Sequence, residues 1–284
     1  SFVRSVEHVK TLRRLIAAAD PERRPWIVSK IERAEAVRDL REIAAASDAL
    51  MVARGDLGVE TGLAAVPGAQ RAILKVGREL SVPVIVATQM LESMVEHPVP
   101  TRAEVSDVAN AVNDGADAVM LSGETAVGAY PVEAVRTMDE IARVAETQRS
   151  VPLEIPERED RGEDHTPVVC DVAVVAARRS GAKAMVVYTA SGRTARLLSK
   201  GVSRIPIVAI TSSEEVRRRL TLLRNVVSYR IPPSSSVEEM IASGDRVLRE
   251  HALTSATVVE VSGAAALEGA TNTVRIRTIR PSRR

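Results

Sequence analysis

Helical hydrophobic patterns alternate with short apolar runs from residue 5 to about residue 149 of the chain. Apolar residues spaced three and four apart predict amphipathic helices, and the unbroken apolar runs predict strands that are buried on both faces. Such alternation is typical of βα units that build a parallel sheet. The predicted helices lie near 6–19, 34–46, 65–80, 102–113 and 131–148, and the predicted strands near 26–30, 49–54, 83–88 and 117–121.

A second alternation of the same kind begins near residue 166. Between the two, prolines and carboxylates replace the periodic pattern and predict a linker over 151–165. We therefore expect one α/β domain over 1–150 and a separate α/β domain over 166–284. The second domain is predicted to contain helices near 166–181, 192–200, 213–222 and 236–251 and strands near 184–189, 206–211, 226–231, 256–262 and 272–279.

Composition narrows the class of protein. The 284 residues are 45% hydrophobic and 27% charged, which is typical of a globular protein, and the apolar runs are too short for a membrane span. With 39 basic and 37 acidic residues and only 2% aromatics, the chain offers neither a net positive field nor stacking platforms, so nucleic-acid binding is not indicated. The single cysteine, Cys170, cannot form an internal disulfide, which favours a reducing cytoplasm.

Each predicted strand of the first domain ends in polar residues. Lys30 and Glu32 are two positions apart, so they are expected to leave the strand on the same face, and Asp56 ends the next strand. Thr88 and Ser122 supply hydroxyls at the two strand ends that follow. Two neighbouring carboxylates suit Mg²⁺, and active sites of βα barrels lie at the carboxyl ends of the strands. We expect these strand ends to form one site, although each feature by itself could be an ion pair or a turn cap.

Two further groups of residues could bind anions. Arg54 adds a cation to the second strand end, where Gly55 and Gly58 are expected to permit positive φ and to bring backbone N–H groups close to a bound carboxylate or phosphate. Glu124 could order its own loop instead of touching a ligand. In the second domain, a predicted strand runs into a predicted helix through a possible phosphate nest, with a capped helix that binds nothing as the alternative; its residues are Thr189, Ser191, Gly192 and Thr194.

Several motifs resemble those of the pyruvate kinase family in order and spacing: Ser29-Lys30-Ile31-Glu32, Met51-Val52-Ala53-Arg54-Gly55-Asp56-Leu57-Gly58, Ala87-Thr88-Gln89-Met90-Leu91-Glu92-Ser93-Met94, Pro100-Thr101-Arg102-Ala103-Glu104 and Met120-Leu121-Ser122-Gly123-Glu124-Thr125. The resemblance runs through the whole chain. It implies the C-terminal half of a (β/α)₈ TIM barrel, followed by that family's C-terminal α/β domain.

The resemblance implies transfer of a phosphoryl group from phosphoenolpyruvate to ADP, giving pyruvate and ATP in glycolysis. It gives Lys30 the task of steadying the phosphoryl group and the enolate, and it makes Glu32 and Asp56 ligands of Mg²⁺ or Mn²⁺. By the same resemblance, the backbone of Gly55 and Asp56 with Thr88 forms the cradle for the substrate carboxylate. Ser122 matches the hydroxyl in the proton path to the enolate.

The resemblance also implies K⁺ as a second cation, a homotetramer when complete, and a sugar-phosphate or nucleotide-monophosphate effector at the nest residues. One departure is Arg33, which stands where the family usually has asparagine. Ser1-Phe2-Val3-Arg4 resembles the end of the fourth barrel strand, so the preceding strands, the lid domain and the K⁺ ligands are expected to be missing. This chain is therefore expected to be inactive alone.

Two other functions remain open. The chain could be a non-catalytic remnant that senses a phosphorylated metabolite through the second domain. Alternatively, Lys30 could form a Schiff base as in an aldolase, although neighbouring carboxylates would keep it protonated.

Overall fold

The chain forms two compact units, Ser1–Val151 and Pro152–Arg284, each described here by itself. The computed structural model describes residues 1–22, 24–148, 155–156, 164–201, 204–234, 236–251, 253–263 and 271–281. Most of the predicted linker 151–165 lies outside these residues. Within them, no helix is both long and apolar enough to cross a bilayer.

The first unit contains the predicted alternation of strands and helices, and each predicted element lies within a few residues of its expected position. Two short helices, Arg54–Thr61 and Gly123–Ala126, were not predicted. In chain order the elements are α1 Val6–Ala19, β1 Val28–Ile31, α2 Ala34–Arg38, α3 Leu40–Ala46, β2 Ala49–Ala53, α4 Arg54–Thr61, α5 Val66–Glu79, β3 Val84–Ala87, α6 Arg102–Asp114, β4 Ala118–Met120, α7 Gly123–Ala126 and α8 Pro131–Gln148. Short 3₁₀ helices cover Leu63–Ala65 and Glu92–Val95.

The four strands of this unit form one parallel sheet in the order β1-β2-β3-β4. Ile31 pairs with Val52, and Ala87 pairs with both Ala53 and Met120, so the carboxyl ends lie side by side. The inner strands β2 and β3 are almost wholly buried, as their continuous apolar sequence predicts. The outer strands are more exposed. This sheet therefore brings the polar strand ends to one edge.

Two expectations for the first unit were wrong. The helix predicted over 34–46 is divided into α2 and α3 at Asp39, a residue type with low helix propensity. Gly55 and Gly58 do not adopt positive φ, because α4 begins immediately after β2 and contains both. Gly58 instead allows close packing, since a Cβ there would lie 2.9 Å from Cδ2 of Leu63.

The second unit is a five-stranded sheet in the order β7-β6-β5-β8-β9, parallel except for β9. Helices α9, α10 and α11 contribute to one buried apolar cluster and α12 to another. The order of the sheet places the nest residues after β5, its central strand. The elements are α9 Thr166–Ser180, β5 Ala184–Tyr188, α10 Arg193–Lys200, β6 Ile207–Thr211, α11 Glu214–Leu220, β7 Val226–Arg230, α12 Val237–Glu250, β8 Thr257–Gly263 and β9 Thr271–Thr278.

Candidate active site

Lys30 and Glu32 meet the next strand's carboxylate at the end of β1. The Lys30 ammonium lies 2.8 Å from Oε2 of Glu32 and 3.7 Å from Oδ2 of Asp56. Asp56 reaches this position from the first turn of α4, where the positive end of the helix dipole favours a carboxylate. One cation therefore lies between two carboxylates that come from neighbouring strand ends.

Glu32 is the buried member of this cluster, with only 3% of its side chain exposed. Burial raises the pKa of Glu32, but hydrogen bonds from Lys30 and from the backbone N–H of Phe2 outweigh that effect, and the pKa lies below its usual value. The hydrogen bond to Glu32 and the charge of Asp56 together raise the pKa of Lys30. Both groups are thus charged at neutral pH, so Lys30 is an ammonium and not a free amine.

A cavity of about 150 Å³ opens beside the cluster. Its walls bring together three residues expected from the sequence and several that sequence reasoning missed. The signal for Glu60 was its spacing of four from Asp56, but that spacing has meaning only once a helix is known there. The lining residues are Phe2, Lys30, Glu32, Arg33, Asp56, Val59 and Glu60.

The loop after β3 contacts the helix that carries Asp56. Thr88 and Gln89 both adopt positive φ, at 69° and 54°, which is strained for residues with a side chain. The Thr88 hydroxyl accepts a hydrogen bond of 3.0 Å from the backbone N–H of Gly55. The end of β3 is thereby joined to the first turn of α4, at the residue directly before Asp56.

Arg54 does not present its charge to a ligand, contrary to the expectation from sequence. Its side chain is 8% exposed, and its guanidinium donates to the carbonyls of Thr88 and Gln89 and to the Asp107 carboxylate on α6. Hydrogen bonds of this kind hold a strained turn in place. Arg54 is therefore a structural support for the loop that carries Thr88.

Ser122 lies at the end of β4, directly before α7. Its backbone N–H donates to Oε2 of the fully buried Glu124, and the other oxygen of Glu124 accepts from the N–H of Leu91. Glu124 therefore orders the loops after β3 and β4, which is one of the roles that the sequence left open for it.

The donor set suits a magnesium-type ion. Within the part of the chain that the structure describes, no group of three or more His, Cys, Asp or Glu side chains could hold a metal. Glu32 and Asp56 supply two carboxylates, and the Lys30 ammonium shows that a cation fits between them. Two carboxylates suffice for Mg²⁺, which keeps several waters and takes further oxygens from a substrate phosphate.

The possible phosphate nest in the second unit is formed only in part. Gly192, with φ of 83°, precedes α10, and its N–H donates to the Thr189 hydroxyl at 2.9 Å. The Ser191 hydroxyl accepts from the N–H of Arg193 at 3.4 Å. Thr194 turns away, because its hydroxyl is buried against that of Thr271 at 2.7 Å. Three of the four predicted residues therefore lie together around the start of the helix.

Each of the two units matches a model of a known protein family. Residues 1–135 match the family model described as "Pyruvate kinase, barrel domain", and residues 168–277 match "Pyruvate kinase, alpha/beta domain". The chain belongs to the pyruvate kinase family. The predicted fold class, part of a TIM barrel followed by a separate α/β domain, is thereby confirmed.

Curated pyruvate kinases from three bacteria illustrate the similarity. The chain is 47% identical to that of Corynebacterium glutamicum over 251 residues, which cover 87% of this chain and 51% of the relative. It is 43% identical to that of Mycobacterium tuberculosis over 284 residues, covering 98% and 59%, respectively. It is 40% identical to that of Geobacillus stearothermophilus over 293 aligned positions, covering 98% and 48%. The chain thus spans about half the length of the curated relatives it matches.

Proposed function

We propose that this chain carries part of the active site of a pyruvate kinase, which transfers a phosphoryl group from phosphoenolpyruvate to ADP and yields pyruvate and ATP. The observation that carries the proposal is the Lys30 ammonium held between Glu32 and Asp56 at adjacent strand ends. Phosphoryl transfer asks a protein mainly for positioning and for neutralisation of charge. A fixed ammonium beside two carboxylates meets that demand.

Each residue has a defined task in this proposal. Lys30, charged at neutral pH, neutralises the negative charge on the oxygens of the phosphoryl group during its transfer. It does the same for the enolate that remains when the P–O bond breaks. Glu32 and Asp56 would hold Mg²⁺ or Mn²⁺, which supplies further positive charge when bound. Thr88 and the backbone of Gly55 and Asp56 orient the substrate carboxylate. The Ser122 hydroxyl lies on the path by which a proton reaches the enolate carbon.

We further propose that the 284-residue polypeptide alone does not turn over. The residues that the structure describes supply four parallel strands to a fold that closes with eight. Val28, on the outer strand β1 of this four-stranded sheet, is 37% exposed, which supports an open edge of the sheet at β1. By this proposal, the residues that bind K⁺ lie in segments of the family's proteins that the chain does not match. The tetramer is expected of the complete protein. The buried Cys170 is consistent with the proposed cytoplasmic location.

A coupled assay with lactate dehydrogenase tests both proposals: that the chain carries part of the active site, and that it does not turn over alone. The chain is assayed with phosphoenolpyruvate, ADP, Mg²⁺ and K⁺, alone and with a polypeptide covering the part of the C. glutamicum relative that it does not match. We expect turnover only in the complemented sample, abolished by Lys30→Met and retained by Lys75→Met, which changes a lysine that is 70% exposed. Robust turnover by the chain alone would refute the second proposal.

The alternative is a non-catalytic protein that senses a phosphorylated metabolite. Silence in both samples, with folded protein, would favour it. The Schiff-base alternative is weakened by the raised pKa of Lys30, because imine formation needs the free amine.

Under either function, we propose that the nest of Thr189, Ser191, Gly192 and Thr194 binds the phosphate of a sugar phosphate or nucleotide monophosphate. The left-handed Gly192 at the start of α10 supports this, although Thr194 would have to leave Thr271 to take part. Calorimetric titration with AMP and with a hexose phosphate tests it. Ser191→Asp should abolish binding by charge repulsion, whereas Thr254→Asp, at an exposed turn, should not.

A further inference from the structure

An ion pair spans the edge of the candidate cavity. Arg33 directly follows Glu32, and its guanidinium pairs with the carboxylate of Glu60. Glu60 lies in α4 four residues after Asp56, so the two carboxylates share one face of that helix. The pair is largely shielded from solvent, with 24% and 34% of the two side chains exposed.

Arg33 therefore bears on both proposed metal ligands. Through Glu60 it ties the segment after β1, which carries Glu32, to the helix that carries Asp56. Its guanidinium also lies 5.5 Å from the ring centroid of Phe2, and the backbone N–H of Phe2 donates to Oε1 of Glu32. A cation over an aromatic ring is attracted to its face. The same side chain thus contacts neighbours of each carboxylate.

Lys30 already joins the two carboxylates, but the proposed chemistry needs its ammonium for the substrate. A second tie that leaves the ligands themselves untouched would keep their separation constant while Lys30 moves. Groups that orient metal ligands from outside the coordination shell commonly contribute to metal affinity. The Arg33 pair with Glu60 has that position.

We propose that Arg33 is a positioning residue that, with Glu60 and Phe2, fixes the separation of Glu32 and Asp56 so that one divalent cation binds both. The inference rests on the metal role proposed above for those carboxylates. It concerns a position at which this chain departs from the asparagine that the resemblance usually places there.

Simple electrostatics predicts the opposite sign. A guanidinium near the site repels a divalent cation, so if charge were its only effect, Arg33→Met would tighten metal binding. The double variant Arg33→Met/Glu60→Gln removes one charge of each sign, leaves the net charge unchanged, and so isolates the loss of the tie. The reversed pair Arg33→Glu/Glu60→Arg also preserves net charge but keeps the tie.

The test is the affinity of the full chain for Mn²⁺ alone, followed by the electron paramagnetic resonance signal of the free ion. We expect the neutral double variant to bind roughly three- to fivefold more weakly, which is the upper part of the range for a partly exposed ion pair, and the reversed pair to recover most of that loss. The matched control is Arg41→Met/Glu79→Gln, an ion pair between α3 and α5 in the same unit, which should leave the affinity unchanged.

The outcomes separate this inference from the proposed function. If Glu32→Gln and Asp56→Asn abolish Mn²⁺ binding but the neutral double variant binds as tightly as the wild type or more tightly, the positioning role is wrong and the metal role stands. If the wild type binds no Mn²⁺, or binds it regardless of Glu32 and Asp56, both are overturned. Two further results would count against positioning. One is a loss of Mn²⁺ affinity that the reversed pair does not recover. The other is a loss of Mn²⁺ affinity that comes with a lower unfolding midpoint of the neutral double variant.

Discussion

Replacing Arg54 by methionine is expected to destabilise the first unit and to release the loop after β3. The guanidinium is 8% exposed and donates to the carbonyls of Thr88 and Gln89 and, at 2.5 Å, to Asp107. Methionine fills much of the same volume but donates no hydrogen bond. Thr88 and Gln89 would then keep positive φ without the hydrogen bonds that Arg54 donates to their carbonyls.

The loss in free energy of unfolding depends on which of these contacts water can replace. Asp107 is 40% exposed, so its pairing with Arg54 contributes at most about 1 kcal/mol. The Thr88 carbonyl accepts two N–H groups of a charged donor, and hydrogen bonds to charged groups contribute about 1.5–3 kcal/mol. We therefore expect Arg54→Met to lower the free energy of unfolding by about 3 kcal/mol, and Asp107→Asn by less than about 1 kcal/mol.

Urea unfolding followed by tryptophan fluorescence measures this directly, because the chain has one tryptophan, Trp26, which lies in the first unit. Arg54→Lys should recover less than half of the loss, since an ammonium cannot reproduce the fork of a guanidinium. Arg41→Met, at an arginine that is 48% exposed, is the matched control and should change the free energy by less than about 0.5 kcal/mol.

The reasoning would be refuted if Arg54→Met cost less than about 1 kcal/mol or no more than Asp107→Asn. Either result would mean that the strained turn is held by something other than the arginine.

Three further predictions concern single positions. Gln89→Gly should raise the free energy of unfolding of the first unit by about 0.5–1 kcal/mol, because glycine adopts positive φ without strain; the same urea titration checks it, and an equal gain from Gln89→Ala would argue against that cause. Gly244→Ala should destabilise the second unit by about 1–3 kcal/mol, since a Cβ there would overlap the Tyr188 hydroxyl; hydrogen exchange of β5 should show the loss, and Tyr188→Phe should recover part of it. The hydrogen bond from Arg193 lowers the pKa of Asp164 from 3.8 to about 2. This pairing therefore stabilises the fold above pH 3.8, and the stabilisation is lost as the pH falls towards 2. An NMR titration that gives Asp164 a pKa near 3.8 in the wild type, or a pKa that Arg193→Met does not change, would contradict this.

The sequence predicted well those features that depend on local pattern. The period of apolar residues marked the strands and helices, with a division at Asp39 as one error of detail. Because parallel strands all end at one edge, the positions of Lys30, Glu32 and Asp56 after successive strands were enough to predict that they meet. The family motifs agreed with that prediction.

What the sequence could not reveal is the partner that each charged group finds across the fold. Arg54 appeared to be an anion-binding cation, yet it is bonded to Asp107, 53 residues away, and the contact of Glu32 with Phe2 spans 30 residues. The Arg33 pair with Glu60 likewise depends on α4 beginning directly after β2. The sequence by itself determined the elements and the edge at which chemistry gathers, because both follow from local periodicity and strand direction. Only the tertiary structure decided which charges face the cavity and which support its walls, because that depends on packing between distant segments.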